Sequence, residues 1–174
     1  MKIELKDILR NAVYIAFYVV LCKLFAPISY GPIQVRIAEA MCIMVLFDNF
    51  AVVSITIACF FSNLMFGGTP NPMIDAIVGS LATFIGLYCA TLIKSNNFFL
   101  KMLPTIVSNA VIIPFELIVL MGWDTVDAFG RTLVGKLAIV ASVVSVAIGE
   151  VIAIYVLGYV LYKMLLRNRD KLFN

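Results

Sequence analysis

The stretch "AIVGSLATFIGLYCATLI", residues 76–93, runs for eighteen residues without a charge. It belongs to one of six apolar runs. Span 1 covers about residues 8–25, span 2 about 36–47, span 3 about 50–66, span 4 about 73–93 and span 5 about 102–121, and span 6 lies within 132–165. The breaks between them are short and rich in Pro, Gly or charge: "APISYGPIQVR", Asp48-Asn49, "GGTPNP", "KSNNFFLK" and "GWDTVDAFGR". A helix needs ~20 mainly apolar residues to cross the ~30 Å hydrocarbon core of a bilayer, and several of the runs approach that length. A water-soluble domain of 174 residues could not bury a chain that is 63% hydrophobic and 13% charged. Ordinary soluble domains are ~45–50% apolar and ~25% charged. The expected fold is therefore all-α, a compact bundle of six transmembrane helices in a single domain over residues 1–174. Spans 2 and 3 are short enough to tilt or to break partway. The opening "MKIELKDILR" is charged like the start of a signal peptide. No small-residue cleavage site follows it, so the first run is expected to stay as a span.

Six spans would put both termini on one side of the membrane. That side would hold Lys2, Lys6, Arg10, Lys94, Lys101, Lys163, Arg167, Arg169 and Lys171, nine of the thirteen basic residues. Cytoplasmic loops carry the excess of Lys and Arg, so the expectation is a multi-pass cell-membrane protein with both termini cytoplasmic. "ISYGPIQVR", "GGTPNP" and "GWDTVDAFGR" then face outward.

Several chemistries fall away. The chain has no histidine, which removes the commonest metal ligand and the usual general base. The four cysteines, Cys22, Cys42, Cys59 and Cys89, all lie inside apolar runs without a CxxC pair and read as small core residues. "GRTLVGKL", residues 130–137, nearly spells a phosphate-binding loop, but Leu137 stands where the Mg²⁺-binding hydroxyl belongs. A net charge of +3 gives no basis for nucleic-acid binding. No metal, cofactor or enzymatic activity is expected, and an ATPase driving transport would have to be another polypeptide.

The informative residues are polar groups in or at the ends of spans: Gln34, Arg36, Glu39, Asn63, Asp75, Asn109, Glu116 and Glu150. A charge at the bilayer centre costs ~2.5–3.5 kcal/mol on insertion scales, so such groups face a partner or a wet cavity. Some have plain structural readings. Asp75 follows Asn71-Pro72, a natural helix start, where a carboxylate complements the helix dipole. Arg36 and Glu39 are spaced to pair with each other, and Asn63 could bond across two helices. Span 5 is harder to explain that way. Asn109 and Glu116 lie seven apart on nearly one helix face, and Pro114 between them frees the backbone carbonyl of Ala110. Such a break is tolerated in a membrane only beside protein or a watery cavity. Glu150 follows Ser145 and Gly149, whose small side chains permit close helix packing around an interior carboxylate. In span 1, Ala12 and Ala16 lie one turn apart and allow another helix to approach closely.

"FAPISYGPIQVRIAEAM", residues 25–41, resembles the signature of the QueT family of predicted queuosine-precursor transporters, in which Gly-Pro-Ile-Gln, an Arg and a Glu follow the first helix. Asn63, "DAIVGSLAT" (75–83), "SNA" (108–110) and Gly149-Glu150 extend the likeness over most of the chain, whereas "GGTPNPMID" and "GWDTVDAFGR" match nothing in it. The resemblance implies an S component of an energy-coupling factor (ECF) importer, a small six-helix protein with an outward pocket. Its implied partners are an ECF transmembrane coupling subunit, docked at Ala12 and Ala16, and two ATPase subunits. It also implies a deazaguanine-type substrate such as queuine or an aminomethyl-deazaguanine. The residue reading fits that chemistry. Carboxylates accept from the donor edge of a guanine-like ring, Asn, Gln or Arg donates to its carbonyl, and a second carboxylate meets a cationic amine. Tyr30, Phe61, Phe66, Phe115 and Trp123 are available to stack on the ring. The alternatives are an ECF subunit for another vitamin or nucleobase, or a self-sufficient proton-coupled carrier using Glu116 or Glu150 as a relay.

Overall fold

The computed structural model describes residues 4–29, 35–67, 69–120, 122, 125–128 and 131–168. Each apolar run of the sequence falls on helical structure. Helix α1 (Leu5–Leu24) opens with a capping box in which Glu4 and Asp7 satisfy each other's backbone N–H groups. A single turn, α2 (Ala26–Ser29), follows. Next comes a tightly wound 3₁₀ segment, Ile37–Leu46, then α3 (Ala51–Phe66) and α4 (Pro72–Leu92). Asn71 caps α4 by accepting from the Ile74 N–H at 3.3 Å, and Pro72 begins the helix without an N–H to orphan. Helix α5 (Phe98–Phe115) starts at Asn97, whose side chain accepts from the N–H groups of Phe99 (2.9 Å) and Leu100 (3.4 Å).

Pro114 does not end α5. The rod continues as a π-helical turn, Glu116–Leu120. A proline cannot donate to the ladder, and widening to i→i+5 bonding is one way to absorb the fault. The last rod is also mixed, running from α6 (Lys136–Glu150) through a π segment (Val151–Gly158) to α7 (Tyr159–Arg167). Two of the interior carboxylates therefore mark α-to-π junctions: Glu116 begins the first π turn and Glu150 immediately precedes the second.

Among the described residues, three rods are long and apolar enough to cross a membrane: Pro72–Leu92 (21 residues), Phe98–Leu120 (23) and Lys136–Arg167 (32). Their outer faces are apolar at helical spacing. Leu103, Val107, Val111, Phe115 and Val119 are all exposed on the α5 rod, and α3 repeats the pattern with Val53, Ile57, Phe61 and Met65. The polar residues point the other way. Ser54, Ser62, Asn63, Thr83, Asn109, Glu116 and Glu150 are buried. Grease outside and polarity inside fits lipid as the solvent, and the chain is a helical membrane protein. The 3₁₀ segment is apolar apart from Glu39 and buried from Ala38 to Val45.

One short element joins the helices without altering the all-α architecture. Strands β1 (Thr125–Ala128) and β2 (Arg131–Val134) form an antiparallel hairpin pairing Thr125 with Val134 and Ala128 with Arg131. "TVDAFGRTLV" has β-branched residues on both sides of a Phe-Gly break, a hairpin pattern that the apolar runs on either side obscured. The near-match to a phosphate loop falls on extended β2. Gly135, at φ 62°, then turns the chain into α6, so Arg131–Val134 do not wrap into an anion cradle.

Candidate functional site

Arg36 stands at the N-terminus of the 3₁₀ segment and Glu39 in its first turn. Glu39 is fully buried and already engaged. One carboxylate oxygen accepts from the Tyr18 hydroxyl at 2.6 Å and the other from the Cys42 thiol at 2.8 Å. The Arg36 guanidinium lies 3.9 Å from the Cys59 sulfur. It is also a charged neighbour of Asp75, Glu116 and Glu150.

Asn63 and Asp75 join α3 to α4. The Asn63 amide donates to the Asp75 carbonyl at 3.1 Å, and the Asp75 carboxylate accepts from the Thr69 hydroxyl at 3.3 Å. Gly79 permits this, because a Cβ there would strike the Asn63 amide. Both structural readings from the sequence are thus realised, Asn63 as interhelical glue and Asp75 as a first-turn carboxylate. Both side chains are nevertheless buried and turned inward.

Asn109 and Glu116 share the inner face of the α5 rod, as their spacing predicts, and both are buried. The Asn109 side chain is a polar neighbour of Glu150 across the α5–α6 contact. Glu116 is different. It is fully buried, and neither carboxylate oxygen has a hydrogen-bond partner among the described residues. The second oxygen of Glu150 is in the same state. An unpaired buried acceptor costs about 1–3 kcal/mol, more if charged. Three such oxygens in this interior are without a donor among the described residues.

The structure therefore brings Arg36, Glu39, Asn63, Asp75, Asn109, Glu116 and Glu150 into one interior, while Gln34 lies outside the described residues. Ala12 and Ala16 sit apart, exposed on α1. Two proposed stacking residues are corrected: Phe61 and Phe115 lie on the outer faces, 48% and 55% exposed. Tyr30 and Trp123 lie outside the described residues. Tyr18 and Cys59 were not anticipated. Tyr18 belongs to a buried stripe, Tyr14–Tyr18–Cys22, whose i,i+4 spacing is legible in the sequence. Cys59 read as a core residue, yet its sulfur collects contacts from Arg36, Asn63 (3.8 Å) and Thr83 (3.5 Å).

The described residues thus form a helical membrane protein with an apolar exterior and a polar interior in which some buried oxygens have no partner among them. A model of the QueT transporter family matches residues 8–167, and the chain belongs to that family. It is 34% identical over 89 residues to the queuosine precursor transporter QueT of Lactococcus lactis subsp. cremoris (strain MG1363). That match spans 50% of this chain and 50% of the relative's length. No solved structure matches the chain.

Proposed function

We propose that the chain is the substrate-binding S component of an ECF-type importer. It captures a queuosine precursor, queuine or an aminomethyl-deazaguanine, from outside the cell for ATP-driven uptake powered by separate subunits. The observation that carries this reading is the set of donor-seeking oxygens on Glu116 and Glu150, buried beside Arg36, in a family that includes a curated queuosine-precursor transporter. A deazaguanine brings what that interior lacks: a planar edge of N–H donors and, in these precursors, an amine. Gln34, Arg36, Glu39, Asn63, Asp75, Asn109, Glu116 and Glu150 are the proposed substrate-binding residues. Glu39 and Asp75, already engaged, hold the wall in place.

The coupling reading has its own support. Ala12 and Ala16 are exposed, and Ala12 lines a groove of about 410 Å³ with Ile8, Ile15, Phe50 and Val53. That surface fits a helix of the ECF transmembrane coupling subunit, which would in turn bind the two ATPase subunits. The orientation also has support. Arg10 bonds Asp48, the residue after Phe47, and Phe47 lines one cavity with Lys101 and Tyr162, so the basic residues Arg10 of α1 and Lys101 of α5 lie toward one end of the bundle. On the positive-inside rule that end is cytoplasmic, both termini with it, in a six-helix multi-pass arrangement.

The test is twofold. Purified chain should bind an aminomethyl-deazaguanine, and cells expressing it without the coupling and ATPase subunits should fail to accumulate the ligand. Absence of binding sinks the substrate reading. Uptake without the other subunits makes the chain a self-sufficient carrier.

A further inference from the structure

Glu116 and Glu150 are unsatisfied to different degrees. Among the described residues Glu116 has both oxygens without a partner, whereas of Glu150 only Oε2 is without one, and Asn109 is its polar neighbour. A carboxylate with two vacant oxygens is matched by two parallel donors, as in fork-to-fork pairing with a planar amidine-like edge. A carboxylate with one vacant oxygen is matched by a single strong donor. A deazaguanine offers one of each: a ring N–H beside an exocyclic amine on its pyrimidine edge, and an ammonium on its aminomethyl arm.

We infer that Glu116 clamps the pyrimidine edge and Glu150 pairs with the cationic arm, so that Glu150 is the residue that selects an aminomethyl-deazaguanine over its neutral nitrile counterpart. Glu116 lies on the α5 rod and Glu150 on the α6 rod, each with Arg36 and one further carboxylate, Asp75 and Glu39 respectively, among its charged neighbours. Asn109, its polar neighbour, acts as a positioning residue for Glu150. A planar edge would leave the single vacancy of Glu150 facing two donors. The reverse assignment therefore satisfies fewer groups.

The assignment rests on the deazaguanine reading given above, and the experiment separates the two. Affinities of the aminomethyl and the nitrile ligand are measured on wild type, Glu116→Gln and Glu150→Gln, each as purified chain. Wild type should prefer the aminomethyl ligand by about 10–100-fold, the range expected for a hydrogen bond to a charged group. Glu150→Gln should remove most of that preference while changing nitrile affinity less than about threefold. Glu116→Gln should weaken both ligands by a similar factor and keep the preference. A preference ratio within one variant does not depend on the fraction of protein folded, so partial misfolding leaves the readout intact. If Glu150→Gln does not fold, Glu150→Asp, which withdraws the charge by one methylene, should lower the preference instead. Loss of preference in Glu116→Gln with retention in Glu150→Gln overturns the assignment, as does a wild type that binds both ligands equally. Binding of neither ligand to wild type overturns the substrate reading itself.

Discussion

Glu116→Leu should make the unliganded protein more stable, and Glu39→Leu should make it less stable. Both carboxylates are fully buried in the membrane interior, and they differ in what surrounds their oxygens. Glu116 has no hydrogen-bond partner among the described residues, so the fold carries its desolvation without return. Replacing it with an apolar side chain of similar volume relieves about 2 kcal/mol, at the scale of one unsatisfied buried group. For a chain of this size that corresponds to a rise in melting temperature of about 4–8 °C. Glu39 is bonded to Tyr18 at 2.6 Å and to Cys42 at 2.8 Å. Glu39→Leu deletes both bonds and strands the Tyr18 hydroxyl in a fully buried position. The cost is about 3 kcal/mol, a fall of about 6–12 °C. The assay is thermal unfolding in one detergent without ligand, followed by deazaguanine affinity for each variant. Glu116→Leu should bind no ligand despite its higher melting temperature. A melting temperature that falls in Glu116→Leu as far as in Glu39→Leu would falsify the reasoning, because Glu116 would then be holding the fold together.

Asp48 accepts from Arg10 Nε and Asn11 Nδ2, each at 3.0 Å, and from the Phe50 N–H at 2.9 Å. Arg10 keeps Asp7 at 2.9 Å, so Asp48→Ala should cost about 3 kcal/mol, the low end for breaking a buried pair. Arg10→Ala should add little to it in the double variant, and fully additive melting-temperature shifts would refute the network. Ala12→Trp or Ala16→Trp should abolish uptake in cells while ligand binding by the isolated chain persists; loss of both together places these alanines in the protein's own core. Gly86→Leu should lower the melting temperature sharply, because a Cβ there meets the Thr105 backbone where α4 crosses α5. A tolerated leucine would mean the two helices are not in that contact. Single cysteines at positions 96 and 70 should be, respectively, protected from and labelled by an impermeant reagent in intact cells, and the opposite pattern inverts the topology.

The helical rods were legible because lipid reads a chain by length and polarity, and "AIVGSLATFIGLYCATLI" contains both signals. The interior carboxylates were legible for the same reason, since a charge inside an apolar run must face a partner or a wet cavity. What escaped was geometry set by neighbours distant in sequence. Tyr18 meets Glu39 across 21 residues and Cys59 meets Thr83 across 24, and neither pair leaves a local pattern. Phe61 and Phe115 were available for stacking by residue type alone and lie on the outer faces instead, because aromatic character says nothing of facing. The hairpin at 125–134 was missed because its few residues sit beside runs of far higher hydrophobicity. The π segments have no sequence signature beyond Pro114, which marked the first of them and had no counterpart in the second.

The second π segment also sets a phase. Glu150 lies on one side of Val151–Gly158, and on the other side Tyr159 and Tyr162 pack against Phe98 at 5.2 Å and 4.9 Å between ring centres. An α-helix advances about 100° per residue and a π turn, which holds more residues, somewhat less, so the count of residues in between works like the teeth between two gears. Deleting any one residue from Val151–Gly158 turns the C-terminal turns by about that angle relative to Glu150. It then becomes impossible to keep the carboxylate facing the interior and the tyrosines facing Phe98 at once. The identity of each lipid-facing residue in that stretch is free to vary, but their number is not.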